Sequence, residues 1–456
     1  MKILFVRPRP SAETIGLQHL MVVEPLELEI LSALKRPNDS SILVDMILEK
    51  QEIDSFVLLH KPDMLCITGY ITNVREIITY AEIGKKLLPD LVVAVGGVHC
   101  EVCPEDFQHD AIDYRFVRNA AIVFTDFLHF VEIGGRLPAG ILARNEDPFS
   151  KPLPEFDFRI PIADRSISQK YRKHYFYIFQ KGVALIKTSF GCPYTCSFCF
   201  CRTITQGLYR QRPMDEVMQE LEQIQEKEIY IVDDDFLTDK KRLENFVLEI
   251  QKRGIHKHFL VYGRADFIAE NPELIHRLKR IGLKTVIVGF ESFSDEELDA
   301  YNKHTNISLY KETMAVLNKE KISCFATIIV SPEWNKEDFR KMESAVISLG
   351  IHFVNLQPLT PLPKTGVSFP QHRMLIDRSE YDKWDLAHVS VMPSKLSVAE
   401  FYRQILQSYN TIVFQPRAIF AYLTGYNPIM LFKMLMGSSR VGRQYKKKIS
   451  EAERHA

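Results

Sequence analysis

Hydrophobic positions in the first 135 residues come as short unbroken runs separated by stretches of helical spacing. Ile3 to Val6, Ile42 to Ile47, Met64 to Thr68, Leu91 to Val95 and Tyr114 to Val117 predict strands, and Pro25 to Lys35 and Val74 to Leu87 predict helices. Runs that do not alternate suit strands covered on both faces, and strand-helix alternation predicts a parallel, doubly wound α/β sheet for residues 1–135. Ligands of such sheets sit beyond the carboxyl ends of the strands. Those ends carry Arg7-Pro8-Arg9-Pro10, Thr68-Gly69-Tyr70, Gly96-Gly97-Val98-His99 and Arg118-Asn119-Ala120. The paired glycines let backbone approach a bulky ligand.

The pattern dissolves from Gly134 to about Tyr177, where Pro148, Pro152, Pro154 and Pro161 mark residues 136–177 as an interdomain linker. Alternation resumes over residues 178–366: Ala184 to Thr188, Glu228 to Val232, His258 to Tyr262, Thr285 to Phe290, Cys324 to Val330 and Phe353 to Gln357 predict six strands. Each but the last is followed by a helical window, which makes an incomplete parallel barrel of (β/α)6 type. After Arg212, Pro213 suits a first helical position, and Val217, Met218, Leu221 and Ile224 form one apolar stripe, so the methionine there is core. Residues 367–456 change to longer helical segments rich in aromatics, running from about Arg378 to the end.

Composition acts mainly by exclusion. With 456 residues, 46% hydrophobic and 25% charged, the chain is globular, of about two to four domains. Lysine plus arginine and aspartate plus glutamate both number 58, leaving no whole-chain field to steer nucleic acid, and no recognition motif for it is present. Between Lys433 and Ala456 seven basic residues face two glutamates, so this tail is +5. It reads first as a solvated terminal helix, with peripheral contact to an anionic lipid surface as the alternative. Only four apolar positions precede Arg7, too few for a signal-peptide core, so the chain is expected to stay in the cytoplasm. The uncharged stretch Ala418 to Phe432 has 15 residues and is broken by Asn427-Pro428, so no transmembrane segment is expected.

Eight cysteines are too sparse for a disulfide scaffold. Cys66 and Cys324 lie inside apolar runs as inert thiols, and Cys100 and Cys103 form a C-x2-C that lacks a second pair and reads as a packing pair. The remaining four, Cys192, Cys196, Cys199 and Cys201, fall within ten residues just after the first strand of the second region. The first three have C-x3-C-x2-C spacing. Three thiolates can hold three irons of a 4Fe-4S cluster and leave the fourth open to a small molecule. Zinc is the alternative, but it prefers four ligands in paired spacings, and no second pair follows. Cys201, two residues from Cys199, reads as a neighbouring or core thiol rather than a fourth ligand.

Polar residues at later strand ends are placed where a parallel barrel builds its site. They are Asp233-Asp234-Asp235-Phe236, Arg264 in Gly263-Arg264-Ala265-Asp266, Glu291 in Gly289-Phe290-Glu291-Ser292, and Gln357 in Asn355-Leu356-Gln357-Pro358. Carboxylates suit an ammonium partner, although one of the three aspartates is expected to act as a plain cap.

The cysteine motif, its place after a first strand and the six strand-helix units resemble the radical S-adenosylmethionine superfamily from about Val183 to Gly366. The preceding doubly wound domain, with Glu24-Pro25-Leu26 and Gly96-Gly97-Val98-His99 in the family's places, is similar to the cobalamin-binding domain of its cobalamin-dependent members. The resemblance implies that Cys192, Cys196 and Cys199 hold a 4Fe-4S cluster whose open iron binds S-adenosylmethionine. Reduction by one electron, from a donor such as flavodoxin or ferredoxin, then yields a 5'-deoxyadenosyl radical that removes a substrate hydrogen. By the same resemblance Phe198 is the aromatic usual between the last two cysteines, Asp234 lies near the amine of S-adenosylmethionine, and Arg264 meets its carboxylate or a neighbouring acid. Glu291 would bind the ribose hydroxyls and Gln357 the adenine, while Thr68, Gly69, Gly96, Gly97 and His99 would line the cobalamin. The D-x-H-x-x-G motif that supplies a histidine to cobalt elsewhere is absent, which makes His99 a loop histidine rather than a cobalt ligand. Val117-Arg118-Asn119-Ala120-Ala121 stands where the family commonly has V-R-G-E-G-E, and losing both glycines narrows the backbone approach there. The reaction implied is cobalamin-dependent methylation of an unactivated carbon in a small-molecule or lipid substrate. Radical cyclisation, oxidation or rearrangement is the alternative within the family, and a non-catalytic iron-sulfur and cobalamin sensor the alternative outside it.

Overall fold

Ile3, Leu4, Phe5 and Val6 are all fully buried, because consecutive strand residues face opposite sides and both sides of this sheet are covered. In the computed structural model, which describes residues 1–150 and 152–454, they lie on β1 (Lys2–Arg7). The other strands of the first sheet are β2 (Ser40–Asp45), β3 (Met64–Thr68), β4 (Val92–Gly96), β5 (Tyr114–Phe116) and β6 (Ile141–Ala143). Their order is β2-β1-β3-β4-β5-β6, parallel except for the antiparallel edge strand β6, with Phe5 opposite both Leu43 and Cys66. Leu4, Val6, Leu65 and Val93 pack on helices Ile53–His60 and Val74–Leu87. Phe5, Met64, Cys66 and Ala94 pack on helices Leu26–Ala33 and Ala120–Ile133.

Three of these elements depart from the apolar pattern. Helix Ile53–His60 has only two turns in which to show a period, and Ala120–Ile133 is apolar nearly all round and so shows no stripe. Strand β6 arises inside residues 136–177, which therefore are not a bare linker. Tyr171 and Tyr175 of the same segment are buried, their hydroxyls donating to Glu49 (2.6 Å) and Asp45 (3.2 Å). Proline density there marks a shortage of backbone donors for regular structure and does not prevent burial. The segment ends in a small antiparallel ribbon of Met21–Val22, Phe176–Tyr177 and Gln180–Lys181, which ties the two sheets together.

The second sheet is β7 (Val183–Ile186), β8 (Glu228–Ile231), β9 (His258–Gly263), β10 (Leu283–Glu291), β11 (Ser323–Val330) and β12 (Phe353–Pro358). All are parallel and in sequence order, an unclosed six-stranded barrel. Ala184, Ile186, Ile231, Val261 and Val286 face the surrounding helices. Leu185, Tyr230, Leu260, Ile287 and Phe325 face inward and are met by Leu26 and Tyr177 from the amino-terminal part. Helix Met214–Gln223 buries Val217, Met218 and Leu221 as the stripe requires, but Pro213 is its cap (φ −52°, ψ 134°) and lies outside the first turn. Beyond the barrel the helices begin at Val398, later than the aromatic pattern suggests, because a reciprocal Ser397–Glu400 capping box starts the first of them. They are Val398–Val413, Pro416–Gly425 and Pro428–Arg454. Among the described residues no helix is long and apolar enough to cross a membrane.

Buried charge joins the two sheets. Glu24 accepts from the Leu185 amide (2.5 Å) and from Arg172 Nη1 (2.7 Å), while Arg165 donates to the Leu185 carbonyl (2.6 Å) and to Glu220 (2.9 Å). Each partner answers the desolvation of the others, so β7 is held against the helix that follows Pro25.

Candidate functional site

After β7 the chain makes a short antiparallel ladder, Ser189–Phe190 against Arg210–Gln211, and Cys192 to Cys201 lie in the loop that this neck closes. Gly191 opens the loop at φ +75°, and a Cβ there would stand 1.8 Å from the Leu208 carbonyl oxygen. Only glycine fits that turn. The far side is pinned by three contacts: the Ser197 amide donates to the Tyr301 carbonyl (2.9 Å), the Gly366 amide to the Ser197 carbonyl (2.8 Å), and Asn302 Nδ2 to the Thr195 carbonyl (2.8 Å).

Cys192, Cys196 and Cys199 are half-buried on this loop. Among the described residues the one set of three His, Cys, Asp or Glu ligand atoms lying within 4.8 Å of one another is His99, Cys103 and Asp106, so the three loop sulfurs are set wider than that. Burial pushes the Cys192 thiol up to about 12 and raises Cys196 as well. Cys199 is lowered, chiefly because the Cys201 thiol hydrogen-bonds to it.

The three aspartates after β8 separate by role. Asp233 accepts from the Thr188 amide (2.6 Å), Thr188 Oγ1 (2.5 Å) and Ser189 Oγ (2.7 Å), and so locks the neck. Asp234, the acid expected at the amine of S-adenosylmethionine, accepts from the Gly191 amide (2.8 Å) and Lys187 Nζ (3.3 Å), so it too is committed to the neck. Asp235 is the acid left over. Both its carboxylate oxygens are buried with no cation or backbone amide bonded to them, and burial raises it to about 7 against the lowering effects of the Thr238 hydroxyl, Arg264 and Lys303. In the sequence these three neighbours are chemically alike; the tertiary contacts alone single out Asp235.

Arg264 donates to Asp266 (2.6 Å) and to the Lys303 carbonyl (2.7 Å), with its guanidinium 3.8 Å over the Tyr194 ring. It meets a neighbouring acid, one of the two partners expected for it. Glu291 sits at φ +64°, beside a bulge in the β10–β11 ladder, and accepts from Lys303 Nζ (2.9 Å). Left-handed backbone in a non-glycine residue is sparsely populated and is held here by that ion pair. Gly289 makes room for the pair, since a Cβ there would lie 2.3 Å from Glu291 Oε1. Lys303 escaped the sequence reading because it follows a helix, not a strand end. Phe198 stands edge-on to Tyr301 at 5.8 Å, with Lys303 Nζ 6.0 Å over its ring, and Gln357 is half-buried near the end of β12.

Across from this group stand the strand ends of the first sheet. Tyr70 is 60% and Tyr262 37% exposed, yet protein encloses both, and burial lifts the Tyr70 hydroxyl to about 12 with Glu27, Tyr262 and Cys201 among the charges acting on it. These side chains bring the strand ends of the first sheet close to the cysteine loop of the second. Thr68 Oγ1 donates to Glu27 (3.4 Å), and Gly69 follows. Two expectations need correction here. Gly97 (φ +96°) would place a Cβ 2.7 Å from Thr68 Oγ1, so its bareness serves the contact between two loops, not the approach of a ligand; Gly96 beside it would only touch Phe116 at 3.4 Å. His99 is buried and bonded to Asp106 (2.7 Å), which also accepts from Arg378 (2.6 Å), so the ring belongs to domain packing and not to a cobalamin surface. Cys100 and Cys103 are buried beside it.

The loop that lacks the family's glycines has a left-handed turn at its first altered position. Asn119 has φ +56°, a conformation asparagine tolerates, and its amide clasps the following segment through the Glu155 carbonyl (2.7 Å) and the Asp157 amide (3.0 Å). From there Phe156, Phe158 and Phe190 stack at 5.2 and 5.3 Å to the neck of the cysteine loop.

A buried carboxylate with no bonded cation, beside three thiols, fits the ammonium of an amino acid ligand on a cluster. The exposed faces of Tyr70 and Tyr262 beside Thr68 suit contact with a large planar cofactor.

The family model described as the Radical SAM superfamily matches residues 186–346, and the B12 binding domain model matches residues 15–128. The hopanoid C-3 methylase of Methylococcus capsulatus is 26% identical over 421 residues, spanning 90% of this chain and 79% of that protein. In fold, the chain is similar to the radical S-adenosylmethionine methyltransferase TsrM from Kitasatospora setae, solved with cobalamin and a 4Fe-4S cluster (TM-score 0.70, 15% identity, 100% of this chain and 99% of that one). It is equally similar to OxsB, a cobalamin-dependent S-adenosylmethionine radical enzyme solved with aqua-cobalamin and S-adenosylmethionine (TM-score 0.70, 15% identity, 97% and 71%).

Proposed function

The chain belongs to the cobalamin-binding radical S-adenosylmethionine enzymes, and from that premise we propose that it methylates an unactivated carbon of a small, predominantly apolar substrate held between its two sheets. It is an enzyme, a cobalamin-dependent methyltransferase that uses a 4Fe-4S cluster and S-adenosylmethionine. The substrate class rests on the hopanoid C-3 methylase likeness and on the exposed faces of Tyr70 and Tyr262.

One observation supports the assignment of the residues: the half-buried thiols of the loop and the buried Asp235, which has no bonded cation, lie together at the carboxyl ends of the barrel strands. In this reading Cys192, Cys196 and Cys199 hold the cluster, and Asp235 rather than Asp234 pairs with the ammonium of S-adenosylmethionine. Glu291, oriented by its ion pair with Lys303, accepts from the ribose hydroxyls, with Phe198 and Gln357 flanking the nucleoside. Arg264 is a positioning residue: it fixes the backbone at Lys303 and thereby the Glu291 carboxylate. Thr68, Gly69 and Tyr70 wall the corrinoid. When bound, the reduced cluster supplies the electron that opens S-adenosylmethionine, and the corrinoid carries the methyl group. A one-electron reductant completes the requirement.

Anaerobic reconstitution with iron and sulfide, followed by S-adenosylmethionine, dithionite and hydroxocobalamin, tests this. Bound corrinoid with release of both 5'-deoxyadenosine and S-adenosylhomocysteine is expected. The Cys196→Ala variant should lose cluster iron and both products, and near-normal iron and sulfide in it would overturn the cluster assignment. Deoxyadenosine without S-adenosylhomocysteine would leave cyclisation, oxidation or rearrangement in place of methylation.

A further inference from the structure

The last two helices carry an apolar face that nothing among the described residues covers. Of the eighteen large hydrophobic side chains exposed among the described residues, eight fall between Phe414 and Met436. Phe420 is 70%, Leu423 69%, Ile429 64% and Phe432 61% exposed. The inner sides of the same helices are well anchored. Tyr422 donates to the His352 carbonyl (2.7 Å), and Tyr426 stacks on Phe179 at 3.9 Å, spanning the open edge between β7 and β12. Met430, Gly437 and Tyr445 of helix Pro428–Arg454 are buried. The outward residues are therefore presented by a fixed support.

Charge identifies what could cover them. From Phe414 to Ser450 the chain has seven lysines or arginines and no acidic residue. On the last helix Ile429, Phe432, Met436, Arg440, Arg443 and Lys447 follow at steps of three and four, so apolar turns pass into basic turns along one exposed side. Lys447 is tied to Glu13 at 3.2 Å, whereas Arg440 and Arg443 are exposed. A second copy seated on the same face would set Arg440 and Arg443 against their own counterparts, with no acidic residue between Phe414 and Ser450 to answer them, and the helix is too polar to span a bilayer.

We propose that this face docks on the surface of an anionic lipid bilayer. The apolar turns of both helices enter the boundary between headgroups and acyl chains, and the basic turns lie along acidic headgroups. Docking sets the open edge of the barrel, which Tyr422 and Tyr426 cover from within, toward the lipid. The proposal stands on the exposed face and does not depend on the substrate assigned above.

Flotation of the reconstituted enzyme with phosphatidylcholine vesicles, made with and without phosphatidylglycerol, reads this directly. The enzyme should float with the anionic vesicles at least about tenfold better than with the neutral ones, and the difference should shrink as salt is raised. The pair Phe420→Asp and Phe432→Asp should abolish flotation. The pair Arg440→Gln and Arg443→Gln, which changes only exposed side chains, should remove the preference for phosphatidylglycerol. Both should still form 5'-deoxyadenosine in buffer. Enzyme that stays unbound with anionic vesicles at low salt overturns the proposal, as does an aspartate pair that floats like the parent. A dimer by light scattering that the aspartate pair converts to monomer, with no vesicle binding, would give the face to a second copy.

Discussion

Asp235 is a carboxylate that the fold has removed from water without supplying a bonded cation. Its folded value of about 7 lies above the ordinary value near 4, so the native state holds its proton more tightly than the unfolded chain does. The acid therefore does the fold no harm below about pH 4, and stability falls as pH rises from there through about 7. Asp235→Asn should raise the melting temperature of the ligand-free protein, by a few kcal/mol of stability at pH 8 and by much less at pH 5. The same change should weaken S-adenosylmethionine binding by about tenfold to a hundredfold in calorimetry, because the ammonium loses its countercharge. A variant that binds as tightly as the parent would return the role to Asp234.

At the scale of elements, the cysteine loop owes its shape to its neck. Asp233 and Asp234 hold one side, the Ser189–Phe190 ladder the other, and Gly191 turns between them at φ +75°. Gly191→Ala puts a Cβ into the Leu208 carbonyl, with a backbone cost of about 1–3 kcal/mol or more. Reconstituted protein should then hold less than half the parent's iron while its far-ultraviolet circular dichroism is unchanged; full iron content would mean that the neck does not shape the cluster site. Asn119 shows the converse. It holds a left-handed backbone that glycine adopts freely and adds two side-chain bonds glycine cannot make, so the turn is anchored by its own side chain.

At the scale of the whole molecule, the strand ends of the first sheet stay close to the cysteine loop only if the two sheets keep their mutual pose. Glu24 is central to that pose, since it bonds β7 through the Leu185 amide and is answered by Arg172. Glu24→Ala would leave the buried Leu185 amide without its acceptor and remove one of the carboxylates on Arg172, which keeps Glu226, at a cost of about 1–3 kcal/mol. Calorimetry should then resolve two unfolding transitions in place of one, and bound corrinoid should fall. A single transition with undiminished corrinoid would show that the ribbon of Met21–Val22 and Phe176–Tyr177 is enough to hold the sheets.

By itself, the sequence determined both sheets in outline, the six barrel strands and the cysteine motif, because each depends on local chemistry: apolar runs bury on two faces, and three thiols at fixed spacing name their own ligand. Strand β6, helix Ala120–Ile133 and the buried tyrosines of residues 136–177 were not legible, since their apolar positions carry no period and their partners lie elsewhere in the chain. The choice among Asp233, Asp234 and Asp235, the arrival of Lys303 at Glu291, and the withdrawal of His99 into a bond with Asp106 were decided by tertiary structure alone. The reason is physical. The chemistry of a side chain is written in the sequence, but whether it stays free to act depends on which neighbours satisfy it first, and those neighbours are brought by the fold.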